Sequence, residues 1–154
     1  MKVTLVDTGP IVAFVNRHDH HHDWALETFS RLSPPLLSCE AVFSEATYLL
    51  RKMVGSSIGV VQLAERQLVR PLFRLDEQAT AVKTLLAKYE DVRMDLADAC
   101  LVRMTEIHSD CLLVTVDSEF RDVYRRHGRQ MIPTLMPTGV SGRAGPRPGR
   151  SKSS

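Results

Sequence analysis

Four acidic residues occupy positions where an isolated charge is costly. Asp7 and Asp117 each close a short apolar run, residues 3–6 and 111–116, in the way a buried strand ends in a turn. An acid there commonly forms a turn or caps a helix, so neither position by itself points to chemistry. Glu45 and Asp98 say more, because helical spacing sets each inside an apolar stripe. Glu45 falls between Val42 and Leu49, and Asp98 has Met94, Leu101, Val102 and Thr105 as helical neighbours. A buried ion pair is the competing explanation, but the nearest arginines in sequence, Arg51 and Arg103, lie off these faces. At about 4 Å and an effective dielectric near 20, a like-charged pair repels by roughly 4 kcal/mol, so four acids brought together need a cation. Carboxylate oxygens without Cys or His select Mg²⁺ or Mn²⁺, which keep several waters and take a few carboxylates plus a substrate phosphate. The implied chemistry is metal-assisted phosphodiester hydrolysis.

The elements that must position these acids alternate. Strands are expected at residues 3–6, 36–38, 71–75, 111–116 and, at an edge, 132–136. Helices are expected from Trp24 to Leu32, over residues 40–54 with Gly55 as a C-terminal cap, and over residues 56–69. Further helices are expected from Asp76, as cap, through Leu86, and over residues 94–107 and 118–127. Strands that are apolar along their whole length and alternate with helices indicate a central parallel sheet covered on both faces, a three-layer α/β/α sandwich. Ligands bind such a sheet at the C-terminal ends of its strands, the edge where Asp7 and Asp117 fall.

With 154 residues, 44% hydrophobic and 25% charged, the chain has the size and balance of one globular domain. The domain is read as residues 1–137. Residues 138–154 form a Gly, Pro, Ser and Arg tail, expected to be disordered, that carries Arg143, Arg147, Arg150 and Lys152 and no acid. Without those four cations, 16 basic residues face 18 acidic ones, so attraction to nucleic acid must come from local patches or the tail. Cys39, Cys100 and Cys111 lack paired metal or redox spacing and read as buried thiols. No stretch approaches eighteen consecutive apolar residues and the N-terminus lacks a signal-peptide pattern, so no membrane span is expected and the cytoplasm is the default location.

Four segments also carry a resemblance. VDTGPIVAF from Val6, AVFSEATYLL from Ala41, MDLADACLVRM from Met94 and LLVTVDSEF from Leu112 resemble, in order and spacing, the four motifs of PIN-domain ribonucleases. The resemblance extends to about Pro137 and includes VapC toxins of type II toxin-antitoxin systems. It implies that Asp7, Glu45, Asp98 and Asp117 are the catalytic acids and hold one or two Mg²⁺ or Mn²⁺ ions. It further implies an endoribonuclease in which water attacks phosphorus in line, leaving a 5′ phosphate and a 3′ hydroxyl. Thr115 matches the family's threonine two residues before the last acid, with a hydroxyl suited to orienting a carboxylate or water. Asp95, one turn before Asp98, either joins the metal shell or caps the helix. Glu119 matches a commonly acidic position, or else is a first-turn acid favouring the helix dipole. A homodimer, an RNA substrate and an antitoxin partner are implied with the family; the alternative is an idle PIN-like domain that binds RNA or a partner, against which the intact acids argue.

Other classes fit less well. A receiver-like domain needs adjacent N-terminal acids and a strand-end lysine, and a haloacid-dehalogenase-type phosphatase needs an acid where Gly9 stands. His18, His20, His21 and His22, with Asp19 and Asp23, lack a second ligand group at zinc-finger spacing, and adventitious metal binding is the favoured reading. Arg121, Arg125, Arg126 and Arg129 fall along one expected helix and form either a phosphate-tracking patch or a solvated face.

Overall fold

The computed structural model describes residues 2–141. Residues 142–154, most of the basic tail, lie outside the described residues. Strand β1 (Val3–Val6) runs straight into helix α1 (Thr8–Val15), followed by α2 (His22–Arg31), β2 (Leu36–Leu37), α3 (Glu40–Leu49), α4 (Ser56–Glu65) and β3 (Val69–Arg70). Then come α5 (Leu75–Lys88), α6 (Leu96–Ile107), β4 (Cys111–Val114), α7 (Glu119–Asp122), β5 (Arg125–Arg126), β6 (Gln130–Met131) and β7 (Thr134–Leu135). Five strands form one parallel sheet in the order β3-β2-β1-β4-β7, flanked by the helices as the expected α/β/α sandwich. Because helices cover both faces, the central strands are apolar throughout: Leu5, Val6, Leu113 and Val114 are fully buried.

Helix α6 is the main inner helix. Leu101, Val102 and Met104 are fully buried on it, each contributing roughly 1.5–3 kcal/mol of burial. Among the described residues, no helix is long and apolar enough to cross a membrane.

Several boundaries differ from expectation. Helix α3 stops at Leu49 instead of Val54. Its last turn tightens as Arg51 N–H donates to Tyr48 O, and Ser56 Oγ donates to Leu50 O at 2.6 Å, satisfying a carbonyl the helix leaves open. Gly55, in the left-handed region at φ +79°, starts α4 instead of ending α3. The third strand is Val69–Arg70 and not residues 71–75, because Pro71 has no N–H for a ladder. Helix α5 opens with Arg74 at its cap, and Asp76 lies in the first turn, paired to Arg74 at 2.9 Å. Helix α4 ends at Glu65, so Val69 belongs to the sheet. Residues 118–127 make only a single turn, α7; His127 and Gly128 at positive φ then turn the chain back into the antiparallel β5–β6 hairpin. Helix α1, absent from the sequence reading, starts with no loop because Asp7 caps it directly.

Candidate acidic site at the carboxyl edge of the sheet

Strands β1 and β4 are neighbours in register, Val6 opposite Val114, so the residues that follow them emerge side by side. Asp7 N–H donates to Val114 O at 3.0 Å as the last rung between them. The Asp7 carboxylate is then held on both oxygens: Oδ1 accepts the Thr8 N–H at 2.7 Å and Oδ2 accepts the Thr115 hydroxyl at 2.8 Å. The Thr115 oxygen in turn accepts the Asp117 N–H at 2.9 Å, and Asp117 Oδ1 accepts the Glu119 N–H at 3.0 Å. One hydroxyl therefore connects Asp7, directly after β1, with Asp117, which lies beyond the end of β4 because that strand stops at Val114 and not at residue 116. Gly9 lets α1 begin this close to the β4 end: a Cβ at position 9 would run into Val116 Cγ2.

Asp98 reaches the same place from α6. It is 2% exposed on the apolar face, as its spacing requires. Its Oδ2 accepts the Asp95 N–H at 3.4 Å while Asp95 Oδ1 accepts the Asp98 N–H at 2.8 Å, a reciprocal cap that fixes the first turn of the helix. Asp95 thus caps the helix in the structure. Burial, then repulsion from Asp98 and from Asp117, pushes the Asp7 carboxyl from its ordinary 3.8 up to about 8, against the lowering effect of the Thr8 and Thr115 hydrogen bonds. Asp7 therefore senses the charges of both Asp98 and Asp117.

Glu45 is placed differently. It is half-buried on α3 and lines a groove of about 1000 Å³ with Asp95, Phe73, Leu75 and Leu96. The groove runs along the start of α6, where Ala97 and Cys100 also line it. Cys39 and Cys100 lie on the groove wall as buried free thiols; hydrogen bonding between them, then burial, pushes the Cys39 thiol up and keeps it protonated.

A residue the sequence reading passed over completes the site. Tyr124 is fully buried, and its hydroxyl donates toward Asp98 Oδ2 at 3.1 Å and Glu119 Oε2 at 2.8 Å. Its only sequence signal is the four-residue spacing from Phe120, which would set both on one face of a helix. Glu119 is thereby drawn to Asp98 across the fold.

The donor set suits a hard divalent cation. The acids present carboxylate oxygens, and their mutual repulsion is what a cation would relieve. Among the described residues, no three His, Cys, Asp or Glu side chains are grouped closely enough to form a ready-made metal cage.

The basic patch is not a row along one helix. Arg121 pairs with Asp122 at 2.8 Å, Arg125 donates to Arg121 O and Tyr124 O, and Arg126 Nη1 donates to Thr105 O and Ser109 O. Three of the four arginines thus bind the fold itself, because the chain leaves the helix after Asp122. In the histidine segment, the His21 N–H donates to Asp19 Oδ1 at 2.8 Å, and His22 Nδ1 bonds Ala13 O at 2.6 Å, tying the start of α2 to α1.

A parallel α/β/α sandwich with acids gathered at the carboxyl edge of its central strands defines a class, and the family model for the PIN domain matches residues 4–126. The chain belongs to the PIN-domain family. Its fold is similar to the crystal structure of VapC20 from Mycobacterium tuberculosis, a toxin that cleaves the sarcin-ricin loop, at 18% identity and a TM-score of 0.62, covering 71% of this chain and 86% of that one. No curated protein matches.

Proposed function

We propose that the chain is a metal-dependent endoribonuclease that hydrolyses RNA phosphodiester bonds, and that it is the toxin of a toxin-antitoxin pair. The observation that carries the reading is the gathering of Asp7, Asp98 and Asp117 at the carboxyl edge of the sheet, with Asp7 pushed up by its burial and then by the charges of the other two. Asp7, Asp98 and Asp117 would hold Mg²⁺ or Mn²⁺, with Glu45 and Glu119 completing the set from the groove wall and from α7. Bound there, the ion supplies the charge that activates water and stabilises the phosphoryl transition state. The residues of the chain do the positioning: Thr115 orients the Asp7 carboxylate, the Asp95 cap holds Asp98 at the start of α6, and the groove beside them accepts the RNA. Similarity of fold to a sarcin-ricin loop cleaving toxin supports the toxin role, with a cytoplasmic homodimer and a protein antitoxin as its setting.

The test is cleavage of a labelled RNA set that includes a sarcin-ricin loop fragment, with Mg²⁺ or Mn²⁺ and with chelator. Metal-dependent cutting that disappears in Asp98→Asn, a variant that stays folded because one like charge is removed, is the expected result. Full activity in that variant overturns the assignment of the acids. No cutting by a protein that binds the metal would instead favour an idle PIN-like binding domain.

A further inference from the structure

Tyr124 brings together two acids that no element places side by side. Its ring is fixed edge-on between Tyr89, at 5.2 Å, and Phe120, at 5.1 Å, and Tyr89 is itself tied to the chain by the Arg125 N–H at 2.9 Å. The hydroxyl has a single proton to donate and lies within hydrogen-bond distance of both Asp98 Oδ2 and Glu119 Oε2. Two carboxylates that share one donor are held close against their repulsion, and each has its orientation set by the same rigid ring. We propose that Tyr124 is a positioning residue that couples Glu119 to Asp98 and so sets the affinity of the acidic site for a divalent cation. This inference rests on the metal-dependent reading above. Without the phenol oxygen the two carboxylates lose the donor they share, and Glu119 is no longer tied to Asp98 beside the ion that Asp7, Asp98 and Asp117 would hold.

The experiment is a calorimetric titration of the full chain with Mn²⁺, with no RNA present, for the wild type, Tyr124→Phe, Glu119→Gln and the double variant, each checked for folding by circular dichroism. Removing a group that orients a metal ligand typically weakens binding by about 10- to 100-fold, and Tyr124→Phe is expected in that range. Glu119→Gln should weaken binding too, and the double variant should lose little more than the worse single one, because both disrupt one coupled unit. A purely structural tyrosine would lower the melting temperature and leave the Mn²⁺ affinity unchanged. Unchanged affinity in Tyr124→Phe, or losses that multiply independently in the double variant, would overturn the coupling while the metal site stands. A wild-type chain that binds no Mn²⁺ would overturn the metal reading and the coupling with it.

Discussion

The Thr115 hydroxyl donates to Asp7 Oδ2 at 2.8 Å across 108 positions of sequence, and through the same oxygen it accepts the Asp117 N–H. It is fully buried, so water offers neither group an easy substitute. Thr115→Val, nearly the same shape, should therefore cost about 1–3 kcal/mol of stability through the orphaned donor and lower cleavage by about 10- to 100-fold. Thr115→Ser should restore most of the activity. Chemical denaturation and a cleavage assay on the three proteins test this; a valine variant with wild-type activity would remove Thr115 from the site.

The raised Asp7 carboxyl makes stability depend on pH when metal is chelated. In the folded chain Asp7 keeps its proton up to about pH 8, whereas in the unfolded chain it loses it near 3.8. The folded state thus binds more protons between those values, and its stability falls as pH rises through that window. Asp7→Asn lacks this loss. Melting both proteins in chelator across the window should show the variant gaining on the wild type steadily as pH rises. A gap that is constant with pH would contradict it.

At Gly9 the constraint is space. Gly9→Ala drives its new methyl into Val116 Cγ2, between Thr115 and Asp117. A destabilisation of about 1–3 kcal/mol is expected, with cleavage falling further than the folded fraction, because the displaced segment carries two site residues. Cleavage rates normalised to the folded fraction separate the two effects.

Arg126 ties the β5–β6 hairpin to the end of α6 through Thr105 O and Ser109 O. Arg126→Met should lower stability by about 1.5–3 kcal/mol and leave RNA retention by a cleavage-dead Asp98→Asn background unchanged. A loss of RNA retention without a loss of stability would restore the phosphate-patch reading.

Legibility differed from one part of the chain to another, for physical reasons. Asp98 was visible because a charge inside a 3.6-residue apolar stripe breaks a pattern that burial otherwise imposes, and it is 2% exposed in the structure. Glu45, read by the same logic, lies half-buried on the groove wall, since α3 packs less deeply than α6. The arginines after Asp117 were misplaced because the helix expected over residues 118–127 ends at Asp122, and the chain then enters the hairpin that turns at His127 and Gly128. Tyr124 was unreadable, since an apolar-face tyrosine gives no sign of what its hydroxyl meets.

The sequence alone determined the alternation of strands and helices, the parallel sheet and the placement of Asp7 at the end of β1, because burial on two faces and the start of a helix after a strand are local demands written in residue type and spacing. The tertiary structure decided which acids share one charge environment, which oxygen of Asp7 meets Thr115, and that Tyr124 joins Asp98 to Glu119. Those relations depend on strand register and on the angle at which helices cross the sheet, and both are set by packing between residues distant in sequence.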